Sequence, residues 1–436
     1  MAGEAPSFLH SLLRLLASFI ASIKVAWFPS FLILLTNSNH FSPIIYCTDT
    51  KIKMKPVVKY FAEHTNYYKL EMTAFTRYLY LKSDAELGLL GALLNSDKER
   101  AMFWAYELYF SGFRQETLAS LWTIYYGYYF TRNPLLETYM KKKQTAIQSE
   151  TDEAVFVSAF VSNMVIRKYT TDAALLFETC TKIEEDDDDA SKSLAERLNA
   201  ENYEAIAHAV HRARGTAGNG NMDDTIKEMQ AYFTQRGCAK AACIGAAGVS
   251  DADPTLVLLA RVMHCYVVLK TEKLDKKRNL YVAVDPELVE KYANVEVDYP
   301  SEDPYKVFKR VVQYSPNDHN VMSVFKPAHS DDVLALYRSG WVSVAFRTTP
   351  LWSLRIQTYG GTLDPATQKI VWENDDKEEE FYQRYWYDTD EHSREIQERN
   401  VPRYTARDTM RDFYGKYAGG GLYVPCEEIL GCLVGS

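Results

Sequence analysis

The chain has 436 residues, with 49 Lys and Arg against 58 Asp and Glu, a formal charge of −9, and 47% hydrophobic and 25% charged residues. That hydrophobic share supports a sizeable core and excludes wholesale disorder, while the acidic balance argues against a protein whose main task is coating nucleic acid. Aromatics are unusually dense, with 31 Tyr, 20 Phe and 7 Trp making 13% of the chain, and the seven cysteines are scattered with no CxxC pair. Such cysteines read as reduced thiols in a cytoplasmic setting, with no disulfides and no zinc-finger or dithiol redox motif.

Residues 1–53 form an apolar leader unlike the rest of the chain. The run 8–36 is interrupted by Arg14 and Lys24 and broken at Pro29. A bilayer core needs about 20 apolar residues in succession, and neither side of Lys24 supplies them. The opening MAGEAPS lacks the basic start of a signal peptide. Balanced charge begins near Met54, so the leader reads as upstream sequence translated by an over-long gene model, with a weak membrane anchor or an ordinary apolar first helix as the other readings.

Residues 54–183 read as an aromatic-rich helical domain of antiparallel hairpins. A helix capped by Ser83 runs to Leu94 and ends at Asn95; Ser96-Asp97-Lys98-Glu99 spells a capping box for the next, which stops at Gly112. A third spans about 115–131, Pro134 opens a fourth bearing Lys141, Lys142 and Lys143 near its end, and helices over 152–168 and 172–180 follow. Trp104, Tyr106, Tyr109, Trp122, Tyr125, Tyr126, Tyr128 and Tyr129 fall at helical spacing. Base stacking needs interleaved Arg and Lys, and Arg114 is alone among them, so these rings are expected to pack helix on helix.

Residues 184–278 hold an acidic loop and a second helical group. Six consecutive acids, 184–189, are a solvated connector without the spacing of a calcium loop. Helices are expected over 191–214 and 223–236. The Gly-rich run 215–220 between them lacks the preceding strand and following Lys of a phosphate-binding loop. His208 and His211, three apart, read as a solvated helical face rather than a metal pair. Pro254 opens a strongly apolar helix through Leu269, in which His264 and Cys265 are core residues.

Residues 279–436 are expected to be a mixed but mostly helical α+β region. Strands are expected at 280–284, 294–298 and 341–348, and helices after Pro286, over 303–312 and over 330–340. Two stretches carry candidate chemistry. Arg347, Trp352, Arg355 and Tyr359, the last leading into Gly360-Gly361, combine guanidinium groups, aromatic rings and a turn that suit a phosphate or a partner carboxylate. Asp375 and Asp376 are the candidate metal ligands, although acids opening a helix ordinarily serve the macrodipole. No cofactor motif and no catalytic constellation is legible.

The run Leu93-Leu94-Asn95 with 103–113, then Leu121-Trp122 with Ile124-Tyr125-Tyr126, resembles a protein group of the large nucleocytoplasmic DNA viruses of algae and amoebae. So does the C-terminal pattern of Pro350-Leu351-Trp352, Arg355-Ile356, Tyr359-Gly360-Gly361, Asp375-Asp376, Glu380-Phe381-Tyr382 and Tyr385. This likeness covers about 54–400 and brings no catalytic residues with it. Residues 86–134 are also similar, at the level of helical hairpins, to the collar of clamp-loader-type ATPases, whose Walker motifs this chain lacks. The expectation is a non-catalytic viral structural or interaction protein, scaffold or adaptor, partnered by another viral protein in the viral factory or virion. The alternatives are an accessory factor in viral DNA replication or transcription that contacts nucleic acid or phosphate, and a divergent metal-dependent enzyme.

Overall fold

A computed structural model describes residues 33–35, 44–46, 74–182, 193–215, 222–249, 251–270, 280–284, 286–293, 340–385, 413–417 and 423–424. The chain divides into two units, Met1–Tyr67 and Tyr68–Ser436. In the first, β1 (Ile33–Leu35) pairs antiparallel with β2 (Ile44–Tyr46), Ile33 opposite Tyr46 and Leu35 opposite Ile44. This piece of the leader is therefore extended where an apolar helix was one expectation, in keeping with its β-branched isoleucines. The rest of the leader, Met54, the acidic run 184–189, the Gly-rich residues 216–220, and the strand and helix expected at 294–298 and 303–312 lie outside the described residues, as does 330–339.

The second unit is mainly helical. Its first hairpin joins α1 (Lys82–Leu94) to α2 (Lys98–Phe110), and the two helices pack along their length. The caps differ from the sequence reading. Leu81, not Ser83, is the N-cap of α1 and offers no side-chain bond. At the turn Ser96 takes φ +58°, and the Asp97 N–H reaches back to the Ala92 carbonyl at 2.9 Å, closing α1 as a Schellman motif. Asp97 is then the first extended residue, so its carboxylate, not the Ser96 hydroxyl, accepts from the Arg100 N–H at 3.1 Å and the Ser96–Glu99 box does not form. Gly88 lets the two helices approach: a Cβ there would lie 2.5 Å from the Trp104 indole.

Next come α3 (Arg114–Ile124), a wide π-turn (Tyr125–Tyr129), α4 (Leu135–Thr145), α5 (Glu150–Val165) and α6 (Asp172–Lys182). The expected single helix to Thr131 thus widens midway. The π-turn fans three hydroxyls to separate partners: Tyr125 donates to the Asn133 carbonyl at 2.9 Å, Tyr126 to Glu137 at 2.8 Å and Tyr129 to the Leu93 carbonyl at 3.0 Å. Each of these three buried phenols thereby finds an acceptor, which offsets the cost of removing its hydroxyl from water.

The region expected as one helical group over 191–214 is two helices, α7 (Leu194–Asn199) and α8 (Tyr203–Gly215), separated at Glu201, where φ is +52°. Ser193 and Glu196 form the reciprocal capping box here. α9 (Met222–Gln235) and α10 (Pro254–Leu269) follow, the latter opened by Asp253 accepting from the Thr255 N–H at 2.7 Å. α6 packs on α8, on α10 and on the π-turn, so the wide turn lies within the core. His264 is buried against the Thr131 carbonyl, its Nδ1 2.9 Å away, and burial lowers its pKa.

Toward the C-terminus the described structure is α11 (Glu287–Ala293), α12 (340–348), α13 (Pro350–Thr358), the short antiparallel pair β3 (Thr362–Leu363) and β4 (Ile370–Val371), and α14 (Asp375–Tyr385). Two expected strands are not strands. Residues 341–348 are helical, and Trp341, Val342, Ser343, Val344 and Ala345 are all buried, so their apparent alternation is a helix enclosed on every side. Residues 280–284 belong to no sheet among the described residues, and α5 and the residues just after it take up their backbone. Asn163 bonds both the N–H and the carbonyl of Val282 at 3.0 Å, and Arg167 donates to the Leu280 carbonyl.

The polar centre is one ion pair. Arg77 Nε meets Glu107 Oε2 at 2.8 Å, and the other Glu107 oxygen accepts the Tyr78 N–H at 3.0 Å. Arg77 also donates to the last carbonyls of α11, Tyr292 at 2.9 Å and Ala293 at 3.2 Å. A second cluster joins Glu137 on α4 to Arg261 on α10 at 3.0 Å and to Lys141 at 2.7 Å.

Substituting Glu107→Ala leaves the Arg77 guanidinium buried without a counter-charge and is expected to cost about 3–5 kcal/mol, read as a lowered urea midpoint; a loss below about 1 kcal/mol would show the pair to be dispensable. The tyrosines set the alkaline limit. Burial pushes Tyr109 up to about 12 from the ordinary 10.0 and raises Tyr125, Tyr126 and Tyr129 well above it. The unfolded chain therefore releases these protons first. Their contribution to stability is full below about pH 10 and falls as pH rises from about 10 toward 12, with tyrosinate absorbance appearing together with unfolding. Tyrosinate developing from these rings near pH 10 in the intact fold would contradict this.

Candidate functional site

The sequence candidates fall on α12, α13 and α14. In α13, Trp352, Arg355 and Tyr359 follow at three- and four-residue spacing and so share one face. The helix starts with Pro350 in its first turn and ends at Gly360, whose φ of +75° turns the chain into β3. Its outer face is wet: Leu354 is 62% exposed. Its inner face is locked to the segment before α1, where the Trp352 Nε1–H donates to the Thr76 carbonyl at 2.9 Å and the Thr349 hydroxyl donates to the Phe75 carbonyl.

Around Trp352 the rings of Trp341, Phe381 and Tyr385 pack edge to face, with centroids 5.2, 6.2 and 5.3 Å away. Tyr359 meets the same Phe381 and Tyr385 at 5.9 and 6.1 Å. Arg355, half-buried, lies over the rings of Trp352 and Tyr385, at 4.7 and 4.8 Å from their centroids. It carries no hydrogen bond and no ion pair among the described residues. Burial lowers its pKa, and Arg77 adds to that effect, opposed by Tyr385, Tyr78 and Glu107. Both Glu107 oxygens are occupied, one by Arg77 Nε and the other by the Tyr78 N–H. Glu107 is thus paired to Arg77, and Arg355 has no carboxylate partner among the described residues.

Arg347 does not join it. Its Nη1 donates to Gln368 Oε1 at 2.7 Å, bracing the turn between β3 and β4. Asp375 and Asp376 are exposed in the first turn of α14, which Asn374 caps by accepting from the Lys377 N–H at 2.9 Å. Tyr385, at the other end of α14, lies about 15 Å along the axis from Asp375 at 1.5 Å per residue. The acids therefore stand at the opposite end of α14 from the ring that Arg355 covers, and they have the geometry that favours a helix dipole.

No group of three His, Cys, Asp or Glu side chains is arranged to hold a metal among the described residues. His211 Nδ1 lies 2.7 Å from the Cys180 carbonyl, which ties it to α6 and departs from the fully solvated face expected of it. Cys180, Cys238, Cys243 and Cys265 are free thiols, and burial pushes Cys180 up to about 11 and raises Cys265 further, so both are protonated and unreactive at neutral pH. No helix of the described residues is long and apolar enough to cross a membrane.

Sequence reasoning passed over Arg77 and Glu107, which set the charge at Arg355. The signal was present: Glu107 is the only charge from Ala101 to Phe113, and a lone charge inside an apolar helical stretch needs a partner. Comparison of the chain with protein-family models, with curated proteins and with solved structures finds no match in any of the three.

Trp352→Phe keeps an aromatic ring but removes the donor to Thr76 and part of the buried indole. It is expected to lower stability by about 1–3 kcal/mol in denaturant unfolding while Asp375→Asn leaves unfolding and Mn²⁺ titration unchanged. Loss of a saturable Mn²⁺ signal in Asp375→Asn would restore the metal reading.

Proposed function

We propose that this protein is a non-catalytic interaction protein, a scaffold or adaptor acting through helical surfaces within the assemblies of a large nucleocytoplasmic DNA virus. The observation that carries the reading is Arg355: a half-buried cation held in an aromatic corner, with its hydrogen-bond donors uncommitted within the described residues. Such a group recognises an external acceptor better than it supports the fold. The deeply buried charges, Arg77, Glu107 and Arg261, are spent on joining helices, which fits a rigid support for that surface. The viral setting is supported by the sequence pattern of the aromatic helices and of 350–385. The partner is then another viral protein, and the place of action the viral factory or virion.

The second reading, an accessory factor in viral replication or transcription that contacts nucleic acid or phosphate, draws on the same Arg355. The net charge of −9 weighs against it. Quantitative mass spectrometry of purified virions and of complexes from infected cells is the test. A constant molar ratio to one viral protein is expected, whereas absence from every viral complex together with multiple turnover by the purified monomer would refute the proposal. Salt-dependent DNA binding weakened by Arg355→Ala would favour the second reading instead.

A further inference from the structure

Arg355 identifies the chemistry of the partner contact, given the reading of the protein as one that acts through its surfaces. A guanidinium carries five N–H donors and no acceptor. None of those of Arg355 is hydrogen-bonded among the described residues, although the group is half-buried. The rings of Trp352 and Tyr385, which meet at 74°, close two sides of it. They attract the cation through their faces but satisfy none of its N–H bonds in the way an oxygen does. Among the described residues, Glu107 is the carboxylate whose charge acts on it, and each Glu107 oxygen already accepts a hydrogen bond, from Arg77 Nε and from the Tyr78 N–H. Among the described residues, Arg355 therefore has neither an oxygen acceptor nor an ion-pair partner.

We propose that Arg355, walled by Trp352 and Tyr385, is the receptor for a carboxylate carried by an acidic segment of a partner protein. The charge count selects the ligand. A carboxylate brings one negative charge and two oxygens that match two parallel N–H donors of a guanidinium. A phosphate monoester brings about −1.5 to −2 at neutral pH and would leave excess negative charge beside Glu107. The aromatic walls exclude water from two sides of the pair, which strengthens it relative to an exposed ion pair.

The test is fluorescence anisotropy of a fluorescein-labelled tetraglutamate peptide on the full chain, with a tetraglutamine peptide as control and thermal unfolding measured in parallel. Saturable binding of tetraglutamate alone is expected. Arg355→Gln should weaken it roughly tenfold or more, and Arg355→Lys should recover only part, because an ammonium keeps the charge without the planar fork. Arg355→Gln should unfold at or above the wild-type temperature, since it removes a half-buried cation with no ion-pair partner among the described residues; a structural tie would instead lose stability. In the wild type, sodium acetate should displace the peptide better than sodium chloride at equal ionic strength. Equal binding by wild type and Arg355→Gln, no binding by the wild type, or stronger displacement by inorganic phosphate than by acetate at equal ionic strength would each overturn the proposal. These outcomes are separate from the virion measurement: a viral partner found without tetraglutamate binding removes this inference and leaves the interaction reading standing.

Discussion

The buried Arg77–Glu107 pair is the constraint on which the second unit depends. Arg77 precedes the first helix, Glu107 lies inside the second, and the same guanidinium holds the last carbonyls of α11. Burying two charges is costly, and the cost is offset here because both oxygens of the carboxylate and several donors of the guanidinium are occupied. The adjacent backbone is held equally closely: the Arg77 N–H donates to the Ser111 hydroxyl at 2.7 Å, and the Thr76 carbonyl receives the Trp352 indole N–H. One short segment thereby joins helices drawn from distant parts of the chain. Among the described residues, Arg355 meets this neighbourhood with Glu107 already paired to Arg77.

The aromatic excess has a physical purpose that composition alone does not reveal. Burying the polar tip of a Tyr or Trp is least costly where it finds an acceptor, and the π-turn provides this by spreading Tyr125, Tyr126 and Tyr129 across three elements. The same kind of ring packs edge to face in chains, Trp122 on Phe160 at 4.7 Å and Tyr80 on Trp104 at 4.7 Å. Near the C-terminus the aromatic cluster around Phe381 joins α12, α13 and α14 through stacked, edge-to-face and tilted contacts, and its corner at Trp352 and Tyr385 holds a cation. Core and candidate site are thus built from one kind of contact.

Much of this was legible from local signals. The punctuation by Asn95, Gly112, Pro134, Gly237 and Pro254 marks helix ends that the structure has, because capping and proline chemistry act within one turn. The face shared by Trp352, Arg355 and Tyr359 also follows from spacing alone. The misreadings have a common cause. Ser96 and Asp97 both suit a cap, and only the left-handed turn at Ser96 decides between them. Residues 341–348 alternate like a strand, and only burial on all sides makes a helix of them. Residues 280–284 have strand composition, but Asn163 and Arg167 supply the bonds a neighbouring strand would have supplied.

By itself the sequence determined a mainly helical protein with an aromatic core, few cationic residues among its rings, and an Arg–aromatic face on α13, since each of these depends on residues a few positions apart. The tertiary structure alone decided that Arg347 braces a turn, that Asp375 and Asp376 stand at the far end of α14, and that Arg355 lies between Trp352 and Tyr385 with no ion-pair partner among the described residues. Those outcomes depend on which charges meet across long stretches of chain. Local periodicity carries no information about a partner from another helix, whereas the pairing of Glu107 with Arg77 exists only once the helices have packed.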